Sequence, residues 1–329
     1  MLELSSFINN HYTISYVSTR NEWETYFKGA EFGNLLQCWI WGEAKKKNEK
    51  WKIYRGIIKK NNEPIAICQW MEKSIFGLLS IIRVNRGPIW LNRTVAQEDK
   101  VCSYRLLGRK FSILNRKILI IAPALSDDEE NRIFLKMEKF FKRKRVKGWK
   151  SALINLDRTE EEIKMSLRGR LRNYIKNSEK LNYNFEVSDK KDDIESIIKK
   201  YICMQKEKTF DGVSADLMRS MYEASNNNGN VFVVRIIDDN TQILAEKLLV
   251  VHGKQCTPLI AWASETGEKS HAMHFLVWKT LLYLKQRDIA YYDVGGYNEN
   301  ERPSVCHFKR GFRGEEYCLV GEYIHFFKL

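Results

Sequence analysis

The stretch TPLIAWASETGEKSHAMHFLVWKTLLYLKQRDIAYYDVGG, residues 257–296, decides the architecture. Residues 257–263 read as a strand rich in apolar side chains, and residues 264–271 are a polar loop. Residues 272–287 then set Met273, Leu276, Val277, Thr280, Leu281 and Leu284 on one helical face. A short strand, 290–294, runs into Gly295-Gly296. A strand that ends in Asp293, two glycines and a loop is a common place for a ligand to approach an α/β sheet.

Upstream, residues 243–251 and 231–237 read as two more strands behind the polar loop 226–230. Residues 193–207 carry Ile194, Ile197, Ile198, Tyr201 and Ile202 on one face, as a packed helix does. A basic helix is expected over about residues 161–180, after a strand at 154–156. The second half therefore runs helix, helix, three strands, helix, strand. In the first half, strand-like runs at 51–58, 65–71, 78–84 and 119–121 suggest hairpins, with Asn61-Asn62-Glu63-Pro64 as the first turn. Residues 131–143 space Phe134, Met137, Phe140 and Phe141 as a helix would. That helix is expected to end in KRKRVKG, where cations complement its dipole and Gly148 is the stop. The expectation is an α/β protein with mixed (α+β) sheets and a lobe boundary near residue 150.

Composition narrows the class. The 329 residues include 55 Lys and Arg against 41 Asp and Glu, a net charge of +14, which attracts phosphorylated or nucleic-acid partners. Hydrophobic residues make up 44%, enough for a core and too many for a disordered chain. Seven cysteines without a C-x-x-C pair read as reduced thiols, and no metal-ligand spacing is present. The first 16 residues lack a basic segment followed by an apolar one, and no apolar run approaches the ~18 residues that span a bilayer. A cytoplasmic protein with no membrane span is expected. A non-enzymatic RNA-binding protein is disfavoured, because no one expected sheet interleaves aromatic and basic residues as a stacking platform does.

Three segments carry candidate chemistry. In the loop 264–271, Gly267, Lys269 and Ser270 precede a helix and suit a pyrophosphate, although Ser270 equally reads as an N-cap. In the basic helix, Lys164, Arg168, Arg172 and Lys176 form an i, i+4 stripe, while Arg170 shares another face with Tyr174, a pairing that suits phosphate plus a stacked base or sugar. Near the C-terminus, His307 and Lys309 alternate with Phe308 as on an extended chain, which would set both on one face. Lys309 suits an oxyanion. Transfer of an acyl group to an amine needs a base; Asp293 ranks first, ahead of Glu246 and His307, and His307 reads more simply as structural. No Cys-His or Ser-His-Asp set suggests a covalent intermediate, so direct attack is expected.

QCWIWGEAK (37–45), NRGP (85–88), SLRGRLRNYIKNSEK (166–180), YYDVGG and HFKRGF, in this order and spacing, resemble the Fem family. These are the FemA, FemB and FemX-like peptidoglycan-bridge aminoacyltransferases within the GNAT superfamily, whose layout also matches the helix and strand order of the second half. The resemblance implies two GNAT-like lobes with a cleft between them. Residues 1–150, joined by C-terminal strands at 316–329, would form the first, and residues 151–315 the second, with the donor site. It also implies roles: Lys45, Arg170 and Tyr174 as contacts to nucleotide phosphates, Lys309 as the residue that polarises the acyl carbonyl, and Trp39 and Trp41 as packing. FemX-type members take an amino acid from aminoacyl-tRNA to an amine of a nucleotide-linked muropeptide. Sugar N-acyltransferases of similar fold (FdhC-like) use a coenzyme A thioester and a dTDP-linked amino sugar. The long helical arm that some Fem proteins hold near tRNA is absent here. With the placement of Lys269, this favours acyl-CoA and nucleotide-sugar substrates in envelope (lipopolysaccharide) synthesis; the tRNA-dependent reaction on a peptidoglycan precursor is the alternative.

Overall fold

Hairpins build the first half of the chain, as its alternation and turn residues require. The structure, a computed structural model, describes residues 11–226, 228–300 and 302–325. The first ten residues, read above as free of a leader, and positions 326–329 of the expected C-terminal strands lie outside the described residues. The chain divides into two units, one running to Trp149 and taking in the segment from Cys318, the other from Lys150 to Tyr317.

In the first unit eight described strands form one sheet. Its path is Tyr12–Tyr16, Lys52–Lys60, Glu63–Ile75, Leu79–Asn85, Lys117–Ala122, Tyr323–His325 and Phe140–Lys142, with Ile89–Trp90 beside Glu63–Ile75. Asn61 and Asn62 make the first turn with φ of 50° and 69°, a left-handed conformation that asparagine tolerates. Pro64, which has no N–H to give the ladder, sits opposite Lys59 at a register shift. The helix expected over 131–143 is shorter, Glu129–Met137, capped by the Asp128 carboxylate on the Asn131 N–H at 2.8 Å. Phe140 and Phe141 belong instead to a strand paired with Tyr323–His325, so KRKRVKG follows a strand and Gly148 ends no helix.

The QCWIWGEAK and NRGP letters meet inside this unit. The Gln37 amide donates to the Gln69 and Asn85 carbonyls at 3.0 and 2.7 Å, and its oxygen accepts from the Gln69 N–H at 2.7 Å. One buried side chain thus satisfies backbone groups of two neighbouring strands. Arg55 is buried, lies 3.6 Å from the Trp39 ring centroid and donates to Gln69 and Glu43. Trp39 therefore packs, as the resemblance implied.

The second unit is a seven-stranded sheet among the described residues. Its order is Glu315–Cys318, Lys150–Asn155, Tyr291–Asp293, Gln255–Ala263, Ile243–His252, Val231–Ile237 and Asn184–Ser188. Helix Ala272–Gln286 covers one face. Its buried side is wider than the expected stripe, because Phe275 and Trp278 are buried too, while Met273 is only partly so. Lys191–Lys208 packs on the sheet through Ile194, Ile197, Ile198 and Tyr201. The single basic helix expected over 161–180 is two, Glu160–Ser166 and Gly169–Ser178. Leu167 and Arg168 between them are extended, and the Arg168 N–H goes to the Gly311 carbonyl at 3.0 Å instead of into a helix. All seven cysteines are unpaired, and no described helix is long and apolar enough to cross a membrane.

Candidate active site

Strands Gln255–Ala263 and Tyr291–Asp293 are parallel, and they pair only at Gln255 with Tyr291 and Cys256 with Tyr292. Beyond this they part, and the backbone groups on their facing edges stop bonding to each other. The parting leads to Pro258 on one strand and Val294-Gly295-Gly296 on the other. An opening at the carboxyl ends of parallel strands is where α/β sheets take ligands.

The turn at this opening is fixed by Asp293. Its buried carboxylate accepts from the Ser151 hydroxyl, from the Gly295 N–H at 2.7 Å and from the Tyr317 hydroxyl at 2.7 Å. Gly295 has φ of 79°, and a Cβ there would stand 3.3 Å from the Lys309 amine, so the position needs glycine twice over. Lys309 donates to the Gly296 carbonyl at 2.7 Å, and burial pushes its amine below the ordinary lysine range. Three donors already occupy Asp293, which makes it an anchor for the turn that positions Lys309, a different role from the base ranked first in the sequence.

A second lysine, missed in the sequence, stands beside the first. Lys247 on strand Ile243–His252 is buried, with its amine 3.2 Å from the Tyr292 hydroxyl and 5.9 Å from the ring centroids of Tyr292 and Phe308. Burial, and after it the charge of Lys309, push it down to about 7. Its same-face neighbours, Ala245 and Leu249, are core residues, but so are Leu244 and Leu248 beside Glu246, so the neighbours gave no signal that separates the two. Glu246, one residue away, points to the opposite face of the sheet, where it is buried against Lys200 at 3.1 Å and Arg235 at 3.8 Å. It is thus removed from Lys309 by the pleat itself.

His307 and Lys309 do not alternate along a strand. Pro303–Arg310 is a helix, with proline in its first turn and Gly311 at its end. His307 is therefore exposed while Phe308 and Lys309 turn inward. Phe308 packs edge-on against His274 at 4.7 Å between ring centroids, and His274 lies 5.0 Å from Tyr174. Tyr174 in turn stacks on His271 at 3.7 Å. Arg170 bonds the Tyr174 hydroxyl and keeps its guanidinium 5.5 Å from that ring, so this expected pair is together and adjoins Phe308 through the histidines. His274 is pushed down to about 4, chiefly by burial and then by His271, which makes it a weak base. Two cations of the expected basic stripe are spent locally. Lys164 pairs with Glu179 at 2.9 Å, and Arg172 donates to the Met165 and Leu167 carbonyls at the end of the preceding helix.

The expected donor loop is different in kind. Residues Glu265–Lys269 form one short helix capped by Ser264, through its hydroxyl on the Gly267 N–H at 3.0 Å, and the cap position of Ala272–Gln286 is His271, not Ser270. Lys269 is exposed and paired with Glu265 at 2.6 Å, and Glu268 adds a second carboxylate. Gly267 lies against the Leu244 carbonyl, which a Cβ would strike at 1.9 Å. Two carboxylates at this helix oppose a pyrophosphate, so the loop's glycine and lysine serve packing and a surface ion pair. Lys45, in the other unit, pairs with Glu49 and lies 5.1 Å from the Trp41 ring centroid.

Residues 165–310 match the model of the acetyltransferase (GNAT) domain. FemX has a similar fold, with a TM-score of 0.80 and 16% identity over 96% of this chain and 97% of that one. L-PGS from Bacillus licheniformis is similar at a TM-score of 0.53 and 11% identity, over 93% and 91% of the two chains. A tandem GNAT protein from the clavulanic acid biosynthesis pathway is similar at 0.50 and 9%, over 95% and 98%. No curated protein sequence matches. Residues 165–310 thus match a GNAT acetyltransferase domain, and over nearly its whole length the chain has a fold similar to that of FemX.

Proposed function

We propose that this GNAT acyltransferase moves an aminoacyl group from an aminoacyl-tRNA to an amine of a nucleotide-linked peptidoglycan precursor. The observation that carries the chemistry is the pair of amines, buried Lys247 and half-buried Lys309, where the parallel strands part. Lys309, charged, stabilises the oxyanion that forms when the acceptor amine attacks the ester carbonyl. Lys247, largely neutral above pH 7, accepts the proton that the attacking nitrogen sheds, directly or through one water. Collapse breaks the ester bond, and the leaving hydroxyl takes the proton back. Amide formation is then balanced without a covalent enzyme intermediate.

The choice of donor rests on fold likeness to FemX, on the net charge of +14, which suits a polyanionic donor, and on the acidic helix where a pyrophosphate was expected. Arg170 with Tyr174 is proposed to hold the acceptor's phosphate and base, and Lys45 a further phosphate. A coenzyme A thioester with a dTDP-linked amino sugar is the second reading, favoured by the GNAT domain match alone. Two parallel assays separate them: charged tRNA with a UDP-muropeptide, and acyl-CoA with dTDP-amino sugars, each followed by mass spectrometry for amide product. Product in the first is expected. Product only in the second, with thiol release, would overturn the donor assignment, and product in neither would overturn both.

A further inference from the structure

The first unit closes two of its hairpins with very different residues, a two-residue turn between Lys60 and Glu63 and a three-residue loop between Ile75 and Leu79. Asn61-Asn62 is the expected chemistry for a left-handed turn, but Phe76-Gly77 places phenylalanine at φ of 49°. Neither turn geometry nor packing asks for that ring, which is 95% exposed, and Leu78 beside it is 71% exposed. The apolar tip is not alone. Strand Leu79–Asn85 runs parallel to Lys117–Ala122, Ser80 lies opposite Lys117, and the Ser80 N–H donates to the Arg116 carbonyl at 2.9 Å. The two chain segments that enter the sheet here, Phe76 to Leu78 and Ile113 to Arg116, are therefore side by side. Ile113 and Leu114 are also exposed, at 49% and 59%.

The two segments themselves carry only positive charge. Segments 73–83 and 109–119, KSIFGLLSIIR and RKFSILNRKIL, contain Lys73, Arg83, Arg109, Lys110, Arg116 and Lys117 and no Asp or Glu. Arg83 is held by the buried Glu322, Lys117 reaches Glu72 at 3.6 Å and the Lys73 amine donates to the Glu49 carbonyl at 3.1 Å, yet the two segments together carry six cations and no acid, and Arg116 is exposed. Apolar side chains projecting from loops at the ends of two neighbouring strands, with cations set behind them, match an interface whose surface is anionic and whose interior is hydrocarbon.

We propose that this edge of the first unit docks on an anionic lipid bilayer, with Phe76, Leu78, Ile113 and Leu114 entering the headgroup boundary and Arg116 and Lys73 meeting lipid phosphates. The contact is peripheral and independent of the acyl-transfer reading.

Vesicle flotation of the full chain tests this, using phosphatidylcholine vesicles with and without phosphatidylglycerol. The wild type floats with the anionic vesicles and stays behind with the neutral ones. The Phe76→Ser, Leu78→Ser double variant weakens binding by about tenfold or more, since two large apolar side chains no longer leave water. Arg116→Gln weakens it by about fivefold. All substituted side chains are exposed, so thermal unfolding should match the wild type. Absence of flotation by the wild type overturns the proposal, and so does equal flotation by the double variant. Sedimentation velocity adds one more overturning result: a wild-type dimer that ignores vesicles and that the double variant makes monomeric would mean that a second copy covers this edge.

Discussion

Replacing Lys247 by methionine should make the protein more stable and nearly inactive at once. An unfolded lysine titrates at 10.5, whereas burial leaves this amine at about 7 in the fold. Between those values the unfolded chain holds a proton that the folded chain has released, so stability rises with pH across the window. At and below about pH 7 the cost of burying the charge is present in full; above about 10.5 it is gone. The gap corresponds to roughly 5 kcal/mol at the low end. Methionine has a similar length and no charge, but it leaves the Tyr292 hydroxyl without its 3.2 Å partner, which costs about 1 kcal/mol. A net gain of about 3 kcal/mol at pH 7 is therefore expected, shrinking as the pH approaches 10. Urea unfolding of both proteins at pH 7 and pH 9.5, followed by fluorescence, measures it.

Activity should move the other way. In the wild type, kcat/KM should rise with pH through about 7 as Lys247 loses its proton, and in Lys247→Met that limb should disappear with turnover down about 100-fold or more. A variant less stable than the wild type would show that the amine is solvated or paired in the fold. Undiminished turnover would show that it takes no part in the chemistry. Either result refutes the reasoning on its own branch.

Lys309→Ala should lower kcat by about 100-fold or more with KM nearly unchanged, because its donor acts on charge that forms only during reaction; single-turnover product formation checks this, and a loss confined to KM would assign Lys309 to binding. Asp293→Asn turns an acceptor of three bonds into a group that accepts on one side only, so stability should fall by about 2 kcal/mol and kcat with it. The pH limb near 7 should survive in that variant, and its loss would return Asp293 to the role of base. Gly42→Ala should destabilise the first unit by about 1–3 kcal/mol, because the new Cβ falls 2.3 Å from the Gln69 side-chain oxygen inside a buried network. Thermal melting reads this directly, and an unchanged melting temperature would mean that the network shifts at no cost.

The second unit was readable because its signals are local. Strand Gln255–Ala263 and helix Ala272–Gln286 carry their periods within their own residues, and the glycines after Asp293 announce a turn. Helix 131–143 failed for the opposite reason. Phe140 and Phe141 fit the helical spacing, and only Tyr323–His325, far along the chain, makes them a strand. HFKRGF failed through neglect of a signal that was present, since Pro303 and Gly311 bracket a helix by the ordinary asymmetry of its ends.

The choice between Glu246 and Lys247 lies deeper. Adjacent residues on a strand face opposite sides, and in a sheet with one wet face the polar member of such a pair reveals the outside. Strand Ile243–His252 is covered on both faces, by Ala272–Gln286 on one and Lys191–Lys208 on the other. Every position from Leu244 to His252 is buried, so neither charge could be assigned a side from its neighbours. What sorts them is which partners each face supplies. Lys200 and Arg235 meet Glu246 with opposite charge, while the other face offers Lys247 only a phenol, an aromatic ring and a second cation. The carboxylate has cations for partners, and a buried amine beside an amine is the group whose proton is easiest to displace. The same parity that hid the base from the sequence is what keeps the two charges from neutralising each other.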